Sequence, residues 1–227
     1  MPQLPHELEF VVGVPFSGTT EQRDGFDVYL PAGAGGPLPA VVVVPGPAPA
    51  AYPFRPRQWP VYQGYSRLVA ERGVVGVVVD QPYHGVADAA AQAAELARVV
   101  AAVRALDEVD AERVAVWAFS GGALLVGRWL GESPEWLRCL ALSYPLVDPA
   151  DEVRLGRPLV VTRVGRELPE RQVTVDGLLE RAKGVRAAVQ VVDVPDGQHA
   201  FDVLDHTEQS RAAVVEAVDL VLAYLKA

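Results

Sequence analysis

Cysteine is nearly absent: Cys139 stands alone among 227 residues, so neither an internal disulfide nor a cysteine-rich zinc cage can form. A reducing cytoplasm is the expected location. Basic residues are also scarce, 20 Lys and Arg against 29 Asp and Glu for a net charge of -9. That balance excludes a sequence-independent grip on nucleic acid or on an anionic membrane, which needs a basic footprint. The residues Met1-Pro2-Gln3-Leu4-Pro5-His6-Glu7 offer neither a basic nor an apolar region of the kind a secretory signal uses. The uncharged run between Arg113 and Arg128 is interrupted by Ser120, Gly121 and Gly122 and falls short of the ~20 residues that span a bilayer. No membrane partner is expected.

What the chain does have is apolar mass. Half of it is hydrophobic and only 22% is charged, far from the composition of a disordered chain. A chain of this size buries roughly 70 to 75% of its unfolded surface, and one domain over residues 1–227 is expected. Short Val-rich runs alternate with longer segments of helical period, the pattern of a mostly parallel sheet covered on both faces. Residues 9–14 and 26–30 read as an antiparallel opening hairpin. Residues 40–44, 74–79, 114–119, 140–144, 159–164 and 188–194 read as further strands, several of them continuously apolar and so buried on both sides. Leu96, Val99, Val100, Val103 and Leu106 share one stripe of a helix over residues 89–106. Val214, Val215, Val218, Val221, Leu222 and Leu225 mark a closing helix, with Asp205 and Glu208 spaced as a capping box at its start. Residues 45–60, rich in Pro, Ala and aromatics, form a loop long enough to be functional.

The chemistry concentrates where a buried strand runs into Ala118-Phe119-Ser120-Gly121-Gly122. A serine presented on so sharp a turn needs small residues two before and two after it, and Ala118 and Gly122 supply them. A helix beginning there would aim its N–H groups at an anionic intermediate. The same serine also reads as a plain helix cap. A hydroxyl becomes a useful nucleophile only when a base takes its proton. His199, in Pro195-Asp196-Gly197-Gln198-His199-Ala200-Phe201 after the last strand, lies where loops at the carboxyl ends of parallel strands converge. Of the other histidines, His6 precedes the sheet, His206 opens a helix and His84 follows a strand beside a possible pocket. An acid must orient the imidazole, and the chain order Ser, acid, His leaves two main candidates. Glu167, after residues 159–164, is favoured over Asp148, while Asp196 more simply shapes its turn.

The elbow at Ser120 and the Gly197-x-His199-Ala-Phe201 segment make the chain resemble a compact α/β-hydrolase of the dienelactone hydrolase-like group, over about residues 39–225. The resemblance implies an α/β-hydrolase fold with about eight strands, helices on both faces and no large cap domain. It also implies hydrolysis of small carboxylic esters or lactones through an acyl-enzyme, with no metal and no organic cofactor. The dienelactone hydrolases proper carry a cysteine nucleophile where this chain has Ser120, and their acid is usually aspartate. Many relatives carry His-Gly-Gly after the third strand, where this chain has Pro45-Gly46-Pro47. Proline has no N–H, so a second oxyanion donor beside the Gly121 N–H is expected from Gly46 or Ala48. The substrate pocket is expected to draw on Tyr52, Phe54, Trp59, Tyr83 and His84, with Arg55 and Arg57 as mostly solvated neighbours. Two other readings stay open: a ligand-binding protein of the same fold, and an acyltransferase or perhydrolase using the same residues. The edge strands and closing helix could support a homodimer.

Overall fold

The computed structural model describes residues 5–227; the first four residues of the amino-terminal segment discussed above lie outside it. In chain order the strands are β1 (Thr19–Arg23), β2 (Phe26–Leu30), β3 (Leu38–Val44), β4 (Val75–Val79), β5 (Val109–Phe119), β6 (Leu137–Ser143), β7 (Leu159–Val164) and β8 (Val189–Val194). The α-helices are α1 (Pro60–Ala70), α2 (Ala89–Arg104), α3 (Arg128–Gly131), α4 (Pro169–Gly184), α5 (Phe201–Leu204) and α6 (Glu208–Lys226). The strands form one eight-stranded sheet in the order β1-β2-β4-β3-β5-β6-β7-β8. From β4 onward in that order neighbours are parallel; β2 alone runs against the others, pairing antiparallel with both β1 and β4.

Period-two alternation divides the core. Val42, Val44, Val116 and Ala118 face α2, α4 and the turn after Ser120. Val41, Val43, Trp117 and Phe119 face α1 and α6. Each valine so buried contributes about 1.5–3 kcal/mol relative to exposure, which is why these strands read as unbroken apolar runs. The one buried indole donor among them is satisfied, Trp117 Nε1 giving its hydrogen to Ser143 Oγ at 2.9 Å.

The first strand departs from expectation. Residues 9–14 are not part of the sheet; they run across the α1/α6 side, where Phe10, Val12 and Val14 pack and Val11 N–H donates to the Asp202 carbonyl at 2.9 Å. The strand that pairs with β2 is polar β1, joined through Asp24-Gly25 with Gly25 at φ 84°. It is an edge strand largely exposed on both faces, so no apolar alternation marks it, and its charges suit an unpaired edge. The closing helix also starts differently. Thr207 is its cap, accepting from Ser210 N–H at 3.1 Å, because Asp205 is taken by Gln198, whose N–H and side-chain amide reach it at 2.9 and 2.7 Å. No described helix is long and apolar enough to cross a membrane.

Candidate active site

The site is built where β5 ends. Ser120 takes φ 51°, a left-handed conformation disfavoured for a residue with a Cβ and the mark of a sharply turned elbow. Gly122 makes the turn possible, since a Cβ there would lie 2.6 Å from the Pro45 carbonyl oxygen and 2.7 Å from that of Val44. The helix expected after the serine is instead a 3-10 turn over Ser120–Leu125, followed by the single turn of α3. Gly121, Gly122, Gly127 and Gly131 explain the interruption, each glycine weakening a regular helix by about 1 kcal/mol.

Loops from the neighbouring parallel strands deliver the partners. Ser120 Oγ lies 2.7 Å from His199 Nε2. His199 Nδ1 is hydrogen-bonded to Glu167 Oε2, which fixes the tautomer: Nδ1–H donates to the carboxylate and Nε2 is left to accept from the serine. The loop after β7 and the loop after β8 are tied by Arg166 N–H to the Gly197 carbonyl at 2.9 Å. Their approach requires a glycine, because a Cβ on Gly165 would meet the Pro195 carbonyl oxygen at 2.1 Å. Glu167 is nearly buried, accepts the Leu168 N–H at 2.9 Å and has Arg171 at 3.5 Å. The rival Asp148 does not reach His199; its carboxylate caps its own turn by accepting the Ala150 N–H at 2.8 Å. Asp196 is mostly exposed, its nearest cation being Arg166.

A cavity of about 300 Å³ opens onto Ser120 and His199, walled by Leu8, Trp59, Val61, Tyr62, Val203 and Leu204 among others. Of the aromatics expected there, Trp59 takes part. Tyr52, Phe54, Tyr83 and His84 lie outside its lining. His6 explains the first two, bonding Tyr52 at 2.6 Å and stacking on Phe54. Tyr83 instead donates to the Gly121 carbonyl at 3.0 Å and so braces the elbow, while His84 Nδ1 faces the Ala48 carbonyl at 2.9 Å. Arg55 is more than half exposed, as expected, whereas Arg57 is largely covered, and both also carry ion pairs. Both pair with Asp80, at 2.7 and 3.1 Å, and Arg57 also reaches Asp27 at 3.2 Å. A more voluminous groove, about 650 Å³, is lined by α6 residues alone and contains no nucleophile.

Asp202 escaped the sequence reading. It is fully buried behind His199, accepting from Tyr65 at 3.1 Å and from Tyr144 at 2.9 and 3.0 Å. Burial is the largest influence and pushes its carboxyl up to about 7; the two phenol hydrogen bonds oppose it. The Tyr144 ring in turn packs edge-on against His199, 4.9 Å between centroids. The only sequence signal was its position three residues beyond the histidine.

No protein-family model matches the chain, and no curated protein matches it. Solved structures do. A protein classed as a dienelactone hydrolase from Klebsiella pneumoniae superposes with a TM-score of 0.65 at 20% identity, over 88% of this chain and 92% of that one. An esterase of Pyrobaculum calidifontis gives 0.72 at 18% identity, over 94% and 87%. A bacterial heroin esterase gives 0.72 at 15%, over 96% and 88%. The chain has the α/β-hydrolase fold. No large cap covers the carboxyl edge of the sheet; the loop over residues 45–60 and the amino-terminal segment border the cavity instead. Among the described residues no cluster of His, Cys, Asp and Glu is arranged to hold a metal ion.

Proposed function

We propose that the protein is a serine esterase that cleaves small carboxylic esters or lactones through an acyl-enzyme on Ser120. The observation that carries this reading is the continuous hydrogen-bonded chain from Ser120 Oγ through both nitrogens of His199 to Glu167. Ser120 Oγ attacks the carbonyl carbon while Nε2 takes its proton, and the oxyanion that forms accepts the Gly121 N–H. As the tetrahedral intermediate collapses, the bond to the leaving oxygen breaks and His199 returns the proton to it. Water then gives a proton to Nε2, its oxygen attacks the acyl carbon, and Ser120 leaves reprotonated. Glu167 holds the ring and offsets the imidazolium charge throughout. These steps call on no metal or organic cofactor.

The cavity narrows the substrate class. Among the described residues its walls carry no Lys or Arg, and Arg55 and Arg57 are held by Asp80 and Asp27. A neutral, apolar acyl group of modest size suits a cavity at the small end of the range for ligand sites. The esterase and dienelactone hydrolase likenesses agree with this reading.

A fluorophosphonate probe tests it. The wild type is expected to be labelled and to hydrolyse p-nitrophenyl acetate and butyrate, and Ser120→Ala to lose both. A folded wild type that takes no label would instead favour a ligand-binding protein.

A further inference from the structure

A backbone oxyanion hole on this fold combines the N–H after the nucleophile with an N–H from the loop after the third strand. In this chain the loop position is filled by Pro47, which has no N–H. Its ring packs directly on the first donor residue, since a Cβ on Gly121 would lie 2.7 Å from Pro47 Cδ. The flanking N–H groups are directed elsewhere. Ala48 N–H donates to the Tyr83 carbonyl at 3.0 Å, and Gly46 N–H points to the Tyr62 hydroxyl oxygen at 3.3 Å. Gly121 is left as the single backbone donor.

The Gly46 contact also orients Tyr62. Because the phenol oxygen accepts from Gly46, its own hydrogen points away from that bond, and among the described residues no side chain or carbonyl accepts it. Its neighbours differ: Tyr65 and Tyr144 both spend their hydrogens on Asp202. The Tyr62 ring is fixed by stacking on Trp59, 5.8 Å and 22° apart, and by the edge of Phe119 at 5.5 Å. Gly46 itself abuts the nucleophile, a Cβ there falling 3.3 Å from Ser120 Cβ and 3.7 Å from Gly121 N. Tyr62 is therefore one hydrogen bond from the elbow, and it lines the cavity that Ser120 and His199 share.

We propose that the Tyr62 hydroxyl is the second oxyanion donor, replacing the backbone N–H that Pro47 lacks. The assignment rests on the esterase reading of the site. Burial raises the Tyr62 phenol well above its ordinary range, so it stays protonated, and stays a donor, throughout the neutral region. A phenol donor also accounts for the proline: with Tyr62 in place, the loop no longer needs an N–H at position 47.

The test is Tyr62→Phe in the full chain, assayed with p-nitrophenyl acetate and with a trifluoromethyl ketone as transition-state mimic. The expected result is a kcat lower by about ten- to a thousandfold with KM nearly unchanged, and inhibition by the ketone weakened by a similar factor. Pro47→Ala, which restores a backbone N–H, should recover part of the loss in the Tyr62→Phe background. In the wild-type background, where the hole already has two donors, the same change should gain less than it does in Tyr62→Phe. Wild-type turnover that survives Tyr62→Phe, or a loss confined to KM, overturns the role of Tyr62 and leaves the esterase reading intact. Absence of turnover and of Ser120 labelling in the folded wild type overturns both. Should Tyr62→Phe fail to fold, Pro47→Ala alone decides: a gain of about tenfold or more would mean that the hole had lacked its second donor.

Discussion

Two carboxylates flank the environment of His199 and have opposite surroundings. Glu167 receives an imidazole N–H and a backbone N–H, with Arg171 close by. Asp202 receives two phenols, has no exposed surface, and among the described residues has no cation paired with it. At Asp202 burial penalises the charge, and the two phenol donors only partly offset it. The residue type does not separate a group placed to face an imidazole from one that ties two tyrosines to a core; burial and the partners around it do.

The comparison breaks most readily at Glu167. Glu167→Gln keeps the shape but can present its amide nitrogen to Nδ1, favouring the wrong tautomer, and kcat is expected to fall by about a thousand- to ten thousandfold. Steady-state hydrolysis of p-nitrophenyl butyrate reads it, and a change under about tenfold would remove Glu167 from the orienting role.

Asp202 is expected to show itself in stability. Its folded value of about 7 lies above the ordinary 3.8, so between those values the folded chain holds a proton that the unfolded chain has released. Its contribution is therefore lost as pH rises from about 4 towards 7 and stays constant above. Asp202→Asn carries no such proton, so its stability relative to the wild type should improve from pH 5 to pH 8 in paired urea titrations. A gap between the two proteins that does not move with pH would contradict the neutral buried carboxyl. Asp202→Ala, which strands two phenols, should cost about 1–3 kcal/mol for each, with the same pH trend relative to the wild type as Asp202→Asn.

Smaller effects sharpen the contrast. Arg171 is partly exposed, so Arg171→Ala should lower kcat less than about threefold, with the difference shrinking as salt is added. Asp148→Asn, which touches only its own turn, should leave the kinetics unchanged.

The central parallel strands were legible because strands buried on both faces cannot alternate in polarity, and residues 40–44 and 74–79 alike read as continuous apolar runs. The candidate residues Ser120, His199 and Glu167 were legible as residue types in a required chain order, each in the loop or turn after a parallel strand. Polar β1 was not, since an edge strand meets water on both sides and leaves no apolar signature; Asp24-Gly25 was its one usable sign. The run over residues 9–14 misled because covering a helical face needs the same apolar residues as a strand. The pocket aromatics could not be sorted from sequence, because what diverts Tyr52 and Phe54 is His6, some fifty positions away. Tyr62 was hidden for a similar reason: its meaning depends on the partner of Gly46 N–H, a contact between a loop and a helix.

Leu8 and Pro5 form part of the cavity wall opposite residues 199–204, and Val11 is bonded to the Asp202 carbonyl. The chamber over the candidate site is thus closed by segments nearly two hundred positions apart, contacts that are slow to form. During synthesis the sheet can consolidate before the chamber exists, so competence should be gained last. It should also be lost first: protease clipping ahead of Val11 is expected to abolish ester turnover while the far-ultraviolet spectrum still reports an intact sheet.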